Sequence, residues 1–303
     1  MPNWNALLLE LQQAGNAHDL LRRKYLEQLS ELTGRNTILY YSAWLEKSAL
    51  YAQMAEPFTV NDSDKHGFMS AIHGMDRRRG LDLVLHTPGG DLAAAESLVS
   101  YLRSMFDTDI RAIVPQLAMS AGTMIACACG EIVMGKHSSL GPIDPQFGGL
   151  PAHGIVEEFR KAAQEIRKDP TKVALWQPII AKYHPTLIGE CQKAIKWAQT
   201  IVREWLVSGM LAASTNRARR ADRIVKELGD HALTLSHARH IDYDKASAMG
   251  LHVTALEDDQ AFQDALLTVH HLCTQTMTAT AAVKLIENHA GVAYVHSLQA
   301  GPG

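Results

Sequence analysis

The sequence predicts an α/β fold with a parallel sheet core, and three observations carry that prediction. Apolar runs of strand length at residues 37–41, 81–86, 110–114 and 132–134 alternate with helix-like stretches at 68–75, 92–106 and 123–129, the rhythm of βαβ units. Two of the strand-like runs pass into glycine-containing turns that open directly onto helices. The chain has 303 residues, 47% hydrophobic and 20% charged, enough to bury a large core and too apolar for a disordered protein.

Taken in order, the first zone reads as helix: Leu7, Leu8 and Leu11, then Leu20, Leu21, Tyr25, Leu26 and Leu29 recur at helical spacing, and Gly34 stops the run. The βαβ zone follows. Residues 152–228 are mostly helical, with Leu187, Cys191, Ile195, Ala198, Val202, Leu206 and Met210 along one face, interrupted earlier by Pro170, Pro178 and Pro185. A short helix stopping at Gly250 and a strand-like run at 251–253 come next, and a helix is expected over 260–288. These zones divide into a helical arm (1–35), an α/β domain (36–256) and a C-terminal helical extension (257–303).

Chemistry concentrates in two turns. The run Leu81-Asp-Leu-Val-Leu-His-Thr-Pro-Gly-Gly-Asp91 takes a strand into a Pro-Gly-Gly turn, with Asp91 placed to cap the next helix. Paired glycines leave backbone N–H groups uncovered, able to donate to an oxyanion. One βα unit later Ala118-Met-Ser-Ala-Gly-Thr123 puts Ser120 at a sharp turn before a helix of small residues. A serine so placed suits a nucleophile beside an oxyanion hole, and it equally suits a helix N-cap. On neighbouring parallel strands, Gly89 or Gly90 would face Ser120 and Ala121 across the carboxyl edge of the sheet, where open α/β sheets carry their sites.

These two turns and the loop Ser138-Ser-Leu-Gly-Pro-Ile-Asp-Pro-Gln146, in this order and spacing, resemble the Clp-like serine peptidases. Among these the serine dehydrogenase proteinases match over most of the chain, including Thr33-Gly-Arg-Asn-Thr-Ile-Leu-Tyr-Tyr41, Tyr183-His-Pro-Thr186 and His237-Ala-Arg-His-Ile-Asp242. The resemblance implies a ClpP/crotonase-like fold, Ser120 as nucleophile, an oxyanion hole of backbone N–H groups from the Gly89-Gly90 turn and Ala121, a peptide or protein substrate, and a homo-oligomer. It leaves the general base open. Signal peptide peptidases use a lysine in a Gly-x-Tyr-Lys type segment; here Lys182 has that chemistry but precedes Tyr183, His184 occupies the aligned slot after Tyr183, and His137 falls earlier in the loop after the nucleophile. Lysine would need desolvation or a nearby cation to act as a base, whereas histidine titrates near neutrality unaided.

Other function classes fit less well. With 29 Lys and Arg against 32 Asp and Glu, the net charge of −3 gives no general attraction for nucleic acid, and Arg217, Arg219, Arg220 and Arg223 read as a solvated helix face. The four cysteines and fifteen histidines show no metal-ligand spacing, so neither a metal nor another cofactor is expected. No signal peptide is visible, and the uncharged run 112–130 is broken by Pro115, Gln116, Ser120 and Gly122; the expectations are a cytoplasmic protein without a transmembrane segment, peripheral membrane association staying open. A crotonase-type acyl-CoA enzyme, an α/β-hydrolase and a catalytically slack scaffold are the alternative readings.

Overall fold

The computed structural model describes residues 17–229 and 239–298, together with Leu7, Glu10 and Gln13. The segment 230–238, which holds His231 and His237, and the tail 299–303, expected to fray, lie outside the described residues.

Helix α1 (His18–Thr33) ends at Gly34, whose left-handed φ of 68° lets the chain turn into strand β1 (Asn36–Ser42). Next come α2 (Asp64–Ile72), β2 (Leu81–His86), α3 (Leu92–Phe106), β3 (Ile110–Val114), the two-residue β4 (Leu117–Ala118), α4 (Ala121–Cys127), β5 (Glu131–Met134) and β6 (Ser139–Leu140). The helical zone contains α5 (Ala152–Lys168), α6 (Val173–Ile180), α7 (Leu187–Ser208) and α8 (Arg217–Gly229). Helix α9 (Tyr243–Met249), stopped by Gly250 at φ 101°, leads into β7 (Val253–Ala255) and then α10 (Gln260–Ala279), β8 (Ala282–Asn288) and β9 (Ala293–Ser297).

The main sheet runs β9-β8-β1-β2-β3-β5-β7. Strands β1, β2, β3, β5 and β7 are parallel, and β8 and β9 close one edge antiparallel. Both faces are covered, so strand residues alternate between two cores rather than between core and solvent. Ile38, Tyr40, Leu83, Leu85, Ala112 and Val114 enter a core roofed by α2, α3, α4, α7 and α8. Leu39, Tyr41, Val84, Ile113 and Val133 enter the second, roofed by α1 and α10. This explains why the strands read as unbroken apolar runs.

The helix expected over 260–288 is corrected: it ends at Ala279, and the following residues form β8 and β9. The C-terminal part is therefore not only a helical extension, because two of its strands complete the sheet. Lys284 and Glu287 fall within the stretch expected to be helix. Both are buried, Lys284 against Asp64 at 2.7 Å and Glu287 against Arg22 at 2.5 Å and Arg23 at 2.9 Å. The strand-like run at 251–253 also shifts, since pairing with β5 starts at Val253.

Helices α5 and α6 stand apart from these cores. Ala152, Ile155 and Cys191 form a small cluster with Phe147, Phe159 and Leu187, while no residue of α6 is buried. Among the described residues no helix is long and apolar enough to cross a membrane, and no group of three His, Cys, Asp or Glu could hold a metal ion.

Candidate active site

Parallel pairing of β2 with β3 brings the two turns together at the carboxyl edge of the sheet. Past the strand ends, Thr87 bridges Ala118: its N–H donates to Leu117 O at 3.1 Å and its carbonyl accepts from Met119 N–H at 3.0 Å. The Thr87 hydroxyl, in turn, accepts from Gly89 N–H at 3.2 Å. These bonds fix the Pro-Gly-Gly turn directly beside Ser120.

Two glycines are required here. Gly89 has φ 97°, and a Cβ on it would lie 2.7 Å from both Met119 O and Ser120 Cβ. At Gly90 a Cβ would lie 2.3 Å from Val60 O and 2.4 Å from Val60 N, both backbone atoms that cannot swing aside. Val60 is a site residue that sequence reasoning missed. Its N–H donates to Gly89 O and its carbonyl accepts from Asp91 N–H, both at 2.8 Å, so a short parallel bridge flanks Gly90. Nothing in the composition of residues 58–61 marks this role, because the contact uses only backbone.

Asp91 caps α3 as expected, accepting from Ala94 N–H at 2.8 Å. Ser120 occupies the N-cap position of α4 but makes no side-chain cap bond, and its φ of 48° and ψ of −115° are rare for a residue with a Cβ. That backbone is the strained strand-to-helix elbow that holds a side chain clear of the sheet, and such strain costs of order 1–3 kcal/mol. The capping reading of Ser120 is thus not what its hydroxyl does. Among the described residues neither Gly90 N–H nor Ala121 N–H has a hydrogen-bond acceptor, whereas Gly122 N–H is spent on Met119 O at 2.7 Å.

Ser120, Ala121, Gly89 and Gly90 line one cleft of about 530 Å³. Its other walls mix apolar side chains, among them Leu92, Met124, Ile143, Phe147 and Ala198, with the polar Thr59, Asp91 and Gln146, and Trp197 at the rim donates from Nε1 to Glu96 Oε2 at 3.0 Å.

The sequence-derived bases are not in this cleft. Lys182 and His184 are exposed on the turn joining α6 to α7, and His184 Nδ1 lies 2.9 Å from Thr186 Oγ1. His137 Nε2 is 3.0 Å from Pro115 O, also away from the lining residues. Cys127 and Cys129 on α4 are buried, and burial pushes both thiols up to about 12, so they pack rather than react. Arg220 and Arg223 of α8 donate to the carbonyls of Gly250 and Met249 at 3.0 and 2.8 Å and tie down the end of α9.

Behind the turn, sequence reasoning passed over a set of histidines. His86, the last residue of β2, is fully buried between Tyr41 and Trp44, with ring centroids 4.4 and 4.2 Å away. Its Nδ1 accepts from Leu117 N–H at 3.4 Å, while Nε2 has no partner among the described residues. Desolvation, and then the neighbouring His270, hold His86 well below the usual imidazole range; burial, and then His271 and His137, lower His270 to about 3. Both stay neutral in the folded protein at pH values where the unfolded chain takes up protons. Their contribution to stability is therefore full above about pH 6.5 and is lost as pH falls below it, for His270 down to about 3. Urea unfolding at pH 7.5 and 5.0 should show the loss, and His86→Phe should flatten part of the slope. An unchanged slope in that variant would remove His86 as a cause.

Comparison with known proteins gives the family. Residues 7–290 match the model of the ClpP-like SDH-type serine proteinase family. Two uncharacterized proteins of Methanocaldococcus jannaschii are similar: MJ0137 is 29% identical over 229 residues, covering 74% of this chain and 73% of that protein. MJ1495 is 32% identical over 148 residues, covering 49% and 45%. Among solved structures, a mutant of the 1510-N membrane-bound stomatin-specific protease aligns with a TM-score of 0.39 at 16% identity, over 69% of this chain and 79% of that one. Because that family's model matches almost the whole of its length, the chain belongs to the ClpP-like SDH-type serine proteinases.

Proposed function

We propose that this protein is a serine peptidase in which Ser120 Oγ attacks the substrate carbonyl while Gly90 N–H and Ala121 N–H stabilise the tetrahedral oxyanion. The observation that carries the reading is the elbow itself: a non-glycine residue held at φ 48° whose hydroxyl makes no cap bond, beside two N–H groups in one cleft that have no acceptor among the described residues. Gly89 shapes the turn, since its own N–H is engaged by Thr87. As Ser120 Oγ bonds to the carbonyl carbon, its proton passes to the base and then to the leaving amine; water hydrolyses the acyl-enzyme in a second half-reaction. A fluorophosphonate probe followed by peptide mapping tests the assignment. Label on Ser120 is the expected result, and a folded protein that takes up no label overturns it and favours a catalytically slack scaffold.

Lys182 is the proposed base, with His184 as the alternative on the same turn. Because both side chains are exposed and outside the cleft, the base reaches Ser120 only when the α6–α7 turn is carried in, within one chain or from a neighbouring copy. Docking of that kind would also strip water from the ammonium, which a lysine base requires. Exposed Leu175, Ile179 and Tyr183 beside it suit such docking and support a homo-oligomer. Lys182→Ala should abolish acylation and Lys182→Arg should fail to restore it, because a guanidinium does not release its proton near neutrality. Full activity in both Lys182→Ala and His184→Ala would eliminate this turn as the source of the base. Light scattering at micromolar concentration should give a mass above that of the 33.3 kDa chain, and monomer mass alone would contradict the oligomer.

A further inference from the structure

We propose that Lys284, on the C-terminal strand β8, is a positioning residue for the oxyanion-hole turn, acting through the segment 58–61 that clamps Gly90. The proposal deepens the peptidase reading above and rests on it. The clamp consists of the two Val60 bonds, to Gly89 O and from Asp91 N–H, on either side of the Gly90 peptide. A clamp of two backbone bonds is only as fixed as the segment that offers it, and beyond Phe58, the end of the 3-10 turn Glu56–Phe58, this segment belongs to no strand of the main sheet.

It is held from below by side chains. Phe58 O accepts from Ser42 Oγ at 2.7 Å, Thr59 O accepts from Lys284 Nζ at 2.7 Å, and Asn61 N–H donates to Asp64 Oδ2 at 3.0 Å. Lys284 Nζ also donates to Asp64 Oδ1 at 2.7 Å, and Tyr40 OH donates to Asp64 Oδ2 at 2.6 Å. Ser42 and Lys284 face each other in the register of β1 and β8, so the two donors that hold consecutive carbonyls stand side by side. The Lys284 and Asp64 side chains are only 1% and 2% exposed. A buried pair of that kind adds little to stability compared with apolar residues of similar volume. A lysine at this position has a geometric role that an apolar residue lacks: it grips Thr59 O while its partner carboxylate grips Asn61 N–H, which leaves both polar groups of Val60 free for the turn. Sub-ångström placement of oxyanion donors matters because they act on charge that develops only in the transition state.

The experiment separates positioning from stability. Lys284→Met leaves the Asp64 charge buried without its partner and should lower the melting temperature; the double variant Lys284→Met/Asp64→Asn leaves no unpaired charge and should recover most of it. Ser120 labelling by the fluorophosphonate, and kcat on a peptide substrate, should nevertheless stay about 30-fold below wild type in the double variant, with KM within about three-fold. Hydrogen exchange at the Asp91 amide, which Val60 O protects, should speed up about ten-fold in the same variant. A double variant that melts with wild type, labels at the wild-type rate and keeps slow Asp91 exchange overturns the proposal. If Lys284→Met does not fold, the double variant carries the test. A wild-type protein that never labels at Ser120 counts against the peptidase reading alone, since Asp91 exchange still reports whether Lys284 holds the clamp.

Discussion

Ser120→Ala is expected to remove fluorophosphonate labelling completely and to lower peptide turnover by at least about three orders of magnitude, the scale on which serine enzymes lose rate with their nucleophile. The fold should not suffer. Alanine has the same backbone preferences at φ 48°, and the serine hydroxyl satisfies no cap, so nothing structural is lost with it. Ser120→Gly separates the two roles further: it should be equally inactive yet more stable by about 1 kcal/mol, because glycine relieves the cost of the elbow less its own extra chain entropy. Thermal melts of the three proteins alongside turnover would check this. An inactive but unstable Ser120→Ala protein would show that the serine supports the fold instead of the chemistry.

Gly90→Val should lower turnover by about two orders of magnitude or more, the effect of losing one oxyanion donor. The cause is steric. A Cβ at Gly90 would sit 2.3 Å from Val60 O and 2.4 Å from Val60 N, so either the Val60 bridge opens or the Gly90 peptide rotates, and in both cases its N–H leaves the cleft. KM should change less than kcat, because the donor is needed by the tetrahedral oxyanion more than by the ground-state carbonyl. Gly89→Ala makes a useful companion. There the added methyl would meet Ser120 Cβ and Met119 O at 2.7 Å, pressing on the nucleophile instead of the donor. A folded Gly90→Val protein with full activity would exclude this N–H from the oxyanion hole.

Local sequence determined the strands and helices of the α/β core because each is punctuated within itself. Gly34 and Gly250 end their helices with left-handed residues, Asp91 caps α3, and the apolar runs at 81–86 and 110–114 are long enough for strands and too short for helices. The paired turns were legible for the same reason: Pro-Gly-Gly and Ser-Ala-Gly demand particular backbones whatever surrounds them. Sequence also placed Ser120 at a turn, although it could not choose between cap and elbow. That choice depended on a φ of 48° imposed by the packing of β4 and α4 against Thr87.

Only the tertiary structure decided the rest, wherever the partner of a group lies far along the chain. Lys284 and Glu287 lie in the stretch that the sequence assigns to a helix, and Asp64 and Arg22, 220 and 265 residues away, hold them as buried members of a strand. Val60 shows the limit most plainly. Its part in the candidate site is made by backbone N–H and C=O groups that every non-proline residue carries, so no side-chain pattern can announce it. The separation of Lys182 and His184 from the cleft is of the same kind: their spacing from Tyr183 is written in the sequence, but the direction in which α6 and α7 carry that turn is set by the packing of α5 on α7 through Ile155, Phe159, Leu187 and Cys191.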